Sequence, residues 1–193
     1  MHEQLIKGIR EKITLTEEGE TQVKKFFIPK KLRKRQYLLN AGDVCHHIAF
    51  VEKGLMRSFS VDEGGYEHVM QFAMEGWWIS DMASFLSQEE ATYNIEALEE
   101  AELLLLTKSA MDEMIDSIPG MERYFRLLMQ NSIIALQRRI RVVQTYSAEE
   151  VYLKLMEVQP EIISRAPQQH VASYLGITPE TLSRIRKQVS TRR

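Results

Sequence analysis

Hydrophobic and polar positions change their spacing twice along the chain. Residues 1–27 read as short helices. Thr16 stands before Glu17 and Glu18, a helix-start signal, and Val23, Phe26 and Phe27 supply an apolar face before Pro29 ends it. From Lys30 to Thr107 the texture is that of short strands. Tyr37-Leu38-Leu39 leads into the turn Asn40-Ala41-Gly42-Asp43, and His47–Glu52 alternates Ile48 and Phe50 with polar or small neighbours. After a turn at Lys53-Gly54, Leu55, Arg57, Phe59 and Val61 alternate with Met56, Ser58 and Ser60. Asp62-Glu63-Gly64-Gly65 predicts a hairpin loop, Tyr66–Ala73 the returning strand, and Glu75-Gly76 another turn. Asn94–Ala97 and Glu102–Leu106 complete the set. Several short strands joined by turns predict an antiparallel sandwich or barrel-like roll.

Beyond Thr107 the period becomes helical. Ser109 is a cap for a short helix to about Ser117, and Pro119 suits the first turn of a longer one running to about Tyr146. On the long helix Met129, Ile133, Leu136, Ile140 and Val143 follow at steps of 4, 3, 4 and 3, the spacing of a coiled-coil seam. Phe125, Leu128, Ala135 and Val142 widen that face, so the helix is expected to touch both its own roll and a second chain. Ser147-Ala148-Glu149-Glu150 starts another helix, which Pro160 ends near Val158. Pro167 opens a short helix and Thr178-Pro179 a further one. The expected division is 1–118 for the roll with flanking helices, 119–146 for the long helix and 147–193 for a C-terminal helical domain.

Gln168–Lys187 carries the most information. Val171, Leu175, Ile177, Leu182 and Ile185 are its apolar positions, and Ala172 is small where two helices would cross. Gly176 falls where the first helix must end, often through a left-handed residue, and Thr178 can cap the second. Two short helices with a glycine-containing turn make a helix-turn-helix. The second helix offers Glu180, Thr181, Ser183, Arg184, Arg186 and Lys187. Arg bonds guanine O6 and N7, Glu accepts from cytosine N4, and basic side chains neutralise phosphate. A plain core hairpin of two helices would need none of these.

Charge supports that reading. The net charge of −2 hides a strong asymmetry: Ser58–Thr107 holds 11 acids and no Lys or Arg, while Ser164–Arg193 holds 6 basic residues and one acid. A basic C-terminal piece on an otherwise acidic chain fits contact with nucleic acid. The 193 residues suffice for one large or two small domains. With 44% hydrophobic and 27% charged residues, the chain is neither disordered nor fibrous as a whole. The single cysteine, Cys45, excludes an intrachain disulfide and any metal site built on several cysteines of one chain. No apolar run approaches the ~20 residues of a membrane span, and MHEQLIKGIREKI lacks the apolar core of a secretory signal. A cytoplasmic protein with no membrane partner is expected.

The chain resembles the Crp/Fnr transcriptional regulators, named for the cyclic-AMP receptor protein. The resemblance covers nearly the whole length and is sharpest at GITPETLSRIRK, Gly176–Lys187, which looks like the family's recognition helix. It implies an α+β fold: an N-terminal double-stranded β-roll of cyclic-nucleotide-binding type, a long dimerisation helix and a C-terminal helix-turn-helix. It also implies a homodimer on a palindromic operator in double-stranded DNA, RNA polymerase as a further partner, and no enzymatic activity. Matched by position, Pro179, Glu180 and Arg184 occupy the main base-reading sites. Glu180 and Arg184 keep the expected chemistry, whereas Pro179 replaces what is often a donor or a charged side chain. The DNA-contacting set is Gln168, Gln169, Thr178, Pro179, Glu180, Ser183, Arg184, Arg186 and Lys187. The wing strands of many members are expected to be absent or reduced, because Pro160–Pro167 is too short for a β-hairpin.

The nucleotide-cradling segment departs further. The family pattern has a Gly-Glu pair and, later, an Arg followed by a small hydroxyl residue. Ser80-Asp81 and Ala91-Thr92 stand there, so Ser80, Asp81, Met82, Ala91 and Thr92 are the candidate ligand-pocket residues. A buried phosphate needs a partner, usually Arg, and Ala91 supplies none. Arg57 or a distant basic residue would have to fold in. Cyclic AMP is therefore not the expected effector, and the effector stays unnamed.

Two readings of other classes compete with this one. A cupin-like metal enzyme needs two His on one strand face. Adjacent His46 and His47 point to opposite faces, and Glu52 and His68 do not complete a ligand set. No cofactor or metal is expected. A roll that signals to a protein partner without touching DNA leaves the basic helix-turn-helix unexplained. Cys45 reads as a small buried or turn residue, and the run Lys30, Lys31, Arg33, Lys34, Arg35 as a solvated strand edge.

Overall fold

The computed structural model describes residues 2–191. Helices α1 (Glu3–Arg10) and α2 (Glu17–Lys25) open the chain, and the Thr16 hydroxyl accepts from Gly19 N at the start of α2. The strands are β1 (Ile28–Leu32), β2 (Tyr37–Leu39), β3 (His47–Lys53), β4 (Met56–Val61), β5 (Glu67–Ala73), β6 (Trp78–Ile79), β7 (Asn94–Ala97) and β8 (Ala101–Thr107). A short helix, α3 (Met82–Ser87), interrupts them after β6. Two antiparallel sheets result, in the orders β1-β8-β3-β6 and β2-β7-β4-β5. The β4–β5 hairpin closes where expected, with Asp62 Oδ1 accepting from Gly64 N and Tyr66 N. Gly54, at φ +102°, makes the β3–β4 turn, and a Cβ there would lie 2.7 Å from the Glu100 carbonyl oxygen.

The alternation in β4 sorts residues between two cores. Met56 joins the interior of the roll with Ile95 and Ala97, while Leu55 and Phe59 point outward with Val69, Phe72 and Leu98. Leu103–Leu106 of β8 and Ile48–Val51 of β3 are buried on both strand faces. One face lines the interior, and helices cover the other. Leu5, Ile6 and Ile9 of α1 pack there, and Glu52 accepts from Leu5 N at 2.9 Å.

Helices α4 (Lys108–Ser117), α5 (Met121–Thr145), α6 (Ala148–Val158), α7 (Pro160–Arg165), α8 (Gln168–Leu175) and α9 (Pro179–Thr191) follow. Thr107, not Ser109, caps α4, by accepting from Ala110 N. Pro119 stands before α5, whose N-cap is left-handed Gly120. The start of α4 moves because the Thr107 hydroxyl makes the cap bond, while left-handed Gly120 leads into α5 without a side-chain cap. Ser147 and Glu150 form a reciprocal capping box on α6. Pro160 ends α6 and is also the first residue of α7. Among the described residues no strand follows β8, and α7 fills the stretch that a wing hairpin would need.

Helix α5 is rooted in the roll by its first turns. Met121, Tyr124 and Phe125 are buried, and the Tyr124 hydroxyl accepts from Trp78 Nε1. Burial pushes the Tyr124 phenol up to about 12. From Gln130 to Arg138 every residue of the helix is exposed.

Candidate DNA interface and its attachment to the roll

The helix-turn-helix forms as its sequence dictates. Helix α8 ends at Gly176 in the left-handed conformation, φ +70°, and Ile177 N returns to the Ala172 carbonyl at 3.0 Å. Ala172 is fully buried, and Val171, Leu182 and Ile185 close the small core between the helices. The Thr178 hydroxyl accepts from Thr181 N at 3.2 Å, capping α9. Backbone donors at the start of α9 and the Thr178 hydroxyl hold the Glu180 carboxyl below its ordinary range.

With Leu182 and Ile185 turned inward, Thr178, Pro179, Glu180, Ser183, Arg184 and Lys187 are exposed. Glu180, Ser183, Arg184 and Lys187 recur at helical intervals of three and four, so they share one stripe. Arg186 is half-buried beside it. Gln168 and Gln169 stand apart, in the first turn of α8. They line a cleft of about 730 Å³ with Lys34, Arg35 and Tyr37 of the roll.

The helical unit does not hang free. Tyr152, Leu155, Ile162, Ala166, Val171, Ala172, Leu182 and Ile185 share one core with the outward residues of β4 and β5. Polar anchors surround this core. Arg57 of β4, 2% exposed, donates to Glu96 of β7 at 2.6 and 3.1 Å and to Glu67 of β5. It also donates to Nδ1 of His170 on α8 at 2.7 Å. Arg165 of α7 forms a two-bond contact with Glu75 at 2.8 and 2.9 Å and pairs with Glu99. That contact pulls the Glu75 carboxyl down to about 2 and the Arg165 guanidinium up. Along β5, the edge of its sheet, the Ser173 hydroxyl donates to the Glu67 carbonyl and accepts from Val69 N at 2.9 Å. Arg139 of α5 bonds the Met70 and Val69 carbonyls and lies 4.5 Å from the Tyr174 ring.

Sequence reasoning missed these anchors, because the partners that join helices to roll lie 66 to 113 positions apart in the chain. One signal was available: Arg57 sits among Leu55 and Phe59 on an otherwise apolar strand face.

The candidate ligand segment is arranged around Asp81. This carboxylate is 2% exposed and caps α3 by accepting from Ser84 N at 3.1 Å. Its other oxygen accepts from Thr92 N at 2.9 Å and Tyr93 N at 3.2 Å. Ser80 contacts Cys45 Sγ, Met82 is half-buried, Ala91 is buried and Thr92 is exposed. Arg57 is engaged on the outward face of its sheet, so it does not reach this segment. Among the described residues no cluster of three His, Cys, Asp or Glu is placed to hold a metal.

A β-roll carrying a helix-turn-helix with a basic outer stripe defines a DNA-binding regulator. The family profile for the cyclic nucleotide-binding domain matches residues 29–117. The chain is 25% identical over 186 residues to the anaerobic regulatory protein of Haemophilus influenzae, covering 89% of this chain and 71% of that one. It is 25% identical over 190 residues to regulatory protein HlyX of Actinobacillus pleuropneumoniae, covering 89% and 76%. Among solved structures, FixK2 from Bradyrhizobium japonicum superposes with a TM-score of 0.73 at 17% identity, over 86% of this chain and 85% of that one. The c-di-GMP responsive global regulator CLP of Xanthomonas campestris gives 0.71 at 13% identity, over 91% and 92%. The chain carries a cyclic nucleotide-binding domain and, along most of its length, is similar to transcriptional regulators of the Crp/Fnr type.

Proposed function

We propose that this regulator acts in the cytoplasm as a homodimer that reads a two-fold symmetric operator through α9. The observation that carries the reading is the exposed stripe Glu180, Ser183, Arg184 and Lys187, set on a capped helix whose opposite side is packed. Arg184 and Glu180 contact base edges, Lys187 and Arg186 neutralise phosphates, and Thr178 and Pro179 approach the groove at the helix start. Gln168 and Gln169 contact the backbone of the duplex from α8. At the promoter, RNA polymerase is the further partner. Arg184→Ala is expected to weaken specific binding by about 1–3 kcal/mol and to relax base choice. Measuring affinity on matched and scrambled duplexes checks it. Equal loss on both would contradict base reading.

The partner copy lies along α5. Ile133, Leu136 and Ile140 are 58%, 58% and 51% exposed in the single chain, an unusual state for aliphatic residues at seam spacing. Met129, half-buried, begins the seam; the side chain of Val143, its last position, lies outside the described residues. Placing Glu at both Ile133 and Ile140 is expected to give monomers by sedimentation and to abolish operator binding.

The roll does not take cyclic AMP in this reading. Asp81 already engages the N–H groups of Thr92 and Tyr93, so a second anion there would meet its charge, and Ala91 brings no cation to offset it. No heat on calorimetric titration with cyclic AMP is the expected result. Micromolar binding that raised operator affinity would overturn it.

A further inference from the structure

The contact between Arg57 and His170 joins residues 113 positions apart and spans the roll and the DNA-reading helices. Its chemistry is directional. A guanidinium has only donors, so Nδ1 of His170 must be the acceptor and the ring must be neutral, with its proton on Nε2. Both side chains are buried, and both carboxylates at hand, Glu96 and Glu67, are already engaged by Arg57. The charged groups that face the imidazole are Arg57 from β4, Glu67 from β5 at 3.6 Å and Glu96 from β7. Lys34, Arg35 and Tyr37 stand around the same cleft, while α6, α7 and α9 meet α8 through the apolar core. A proton on Nδ1 would aim a donor at the Arg57 donor and break this bond, although Glu67 and Glu96 set their negative charges against that of Arg57. We propose that His170 is a positioning residue that holds the DNA-reading unit against the roll only while its imidazole is neutral, so that acid loosens the joint.

Burial, and then the Arg57 charge, lower the imidazole below its ordinary 6.5. The undocked ring therefore takes up a proton more readily than the docked one. Docking is at full strength above about pH 6.5 and weakens as the pH falls below it, levelling off once the docked ring is itself protonated. Each unit between the two pKa values is a tenfold loss of docking.

The structure provides a local reporter. Val69 lies on the edge strand β5, and its N–H donates to Ser173 on α8 instead of to a neighbouring strand. Undocking removes that partner. Hydrogen exchange of the Val69 amide, followed by NMR on the full-length protein from pH 8 to pH 5 and corrected for intrinsic exchange, reads the joint without DNA. Protection is expected to be flat above pH 7 and to fall as the pH is lowered from there toward 5. The fall should level off where the His170 ring resonance has finished titrating. His170→Asn, whose Oδ1 stands two bonds from Cβ as Nδ1 does and accepts from Arg57 without titrating, is expected to keep Val69 protected throughout. The proposal is overturned if His170→Asn loses protection with the wild-type profile. It is equally overturned, from the wild type alone, if Val69 stays protected to pH 5 or if its loss does not follow the His170 titration.

Discussion

The interior of the roll and the joint between roll and helical unit are built on different principles. The interior is apolar: Phe50, Phe85, Leu103, Leu104 and Ile79 are almost fully buried between strands whose hydrogen bonds close on each other. The joint has an apolar floor, but charged groups ring it. Arg57 with Glu96, Glu67 and His170, and Arg165 with Glu75 and Glu99, tie the two parts together. Apolar burial is insensitive to protons, whereas paired charges depend on pH. Breaking a buried pair leaves an uncompensated charge, so the joint is specific in geometry and responsive to conditions.

The sharpest way to break the contrast is to remove Phe50, which stacks edge-on against Trp78 at 5.2 Å. Phe50→Ala is expected to destabilise the whole chain by about 3–5 kcal/mol, in one transition shared by roll and helices. Arg57→Ala should cost about 3 kcal/mol, because Glu96 stays buried without its partner. Here the loss should concentrate at the joint, with Val69 and α8 amides exchanging before those of β3 and β8. Uniform exchange in this variant would show that the joint and the roll are one cooperative unit. The smallest effect is acidic. The Glu75 carboxyl sits at about 2 against an ordinary 4.5. Its contribution is present above pH 4.5 and is lost as the pH falls from there toward 2. Because Glu75 is partly exposed, the change is modest, and Glu75→Gln should flatten the stability profile over that interval.

Much of this was legible in the residues, and the reasons are local. The strands of the β4–β5 hairpin are set by alternation and by Asp62-Glu63-Gly64-Gly65, and α6 by a capping box within four residues. The helix-turn-helix was readable because Ala172, Gly176 and Thr178 each answer a constraint inside a 20-residue window. Helix α3 escaped, since its six residues show too few turns for a period and its cap, Asp81, stands where the family resemblance puts a ligand residue. The start of α4 moved to Thr107 because its hydroxyl, at the end of β8, reaches Ala110 N. The anchors of the joint were invisible for a different reason: only the folded chain brings Arg57 to His170 or Arg165 to Glu75. Long-range polar pairs have no periodicity.

The most direct test is selection of bound duplexes from a random DNA pool with the full-length protein, run in parallel with Arg184→Ala. The wild type is expected to enrich two inverted half-sites with centres about 34 Å apart, roughly one helical turn. Arg184→Ala is expected to lose preference at one base pair in each half-site while retaining weaker, salt-sensitive binding. No enriched sequence, a single half-site without symmetry, or an Arg184→Ala motif identical to that of the wild type would contradict reading of DNA by a dimer through α9.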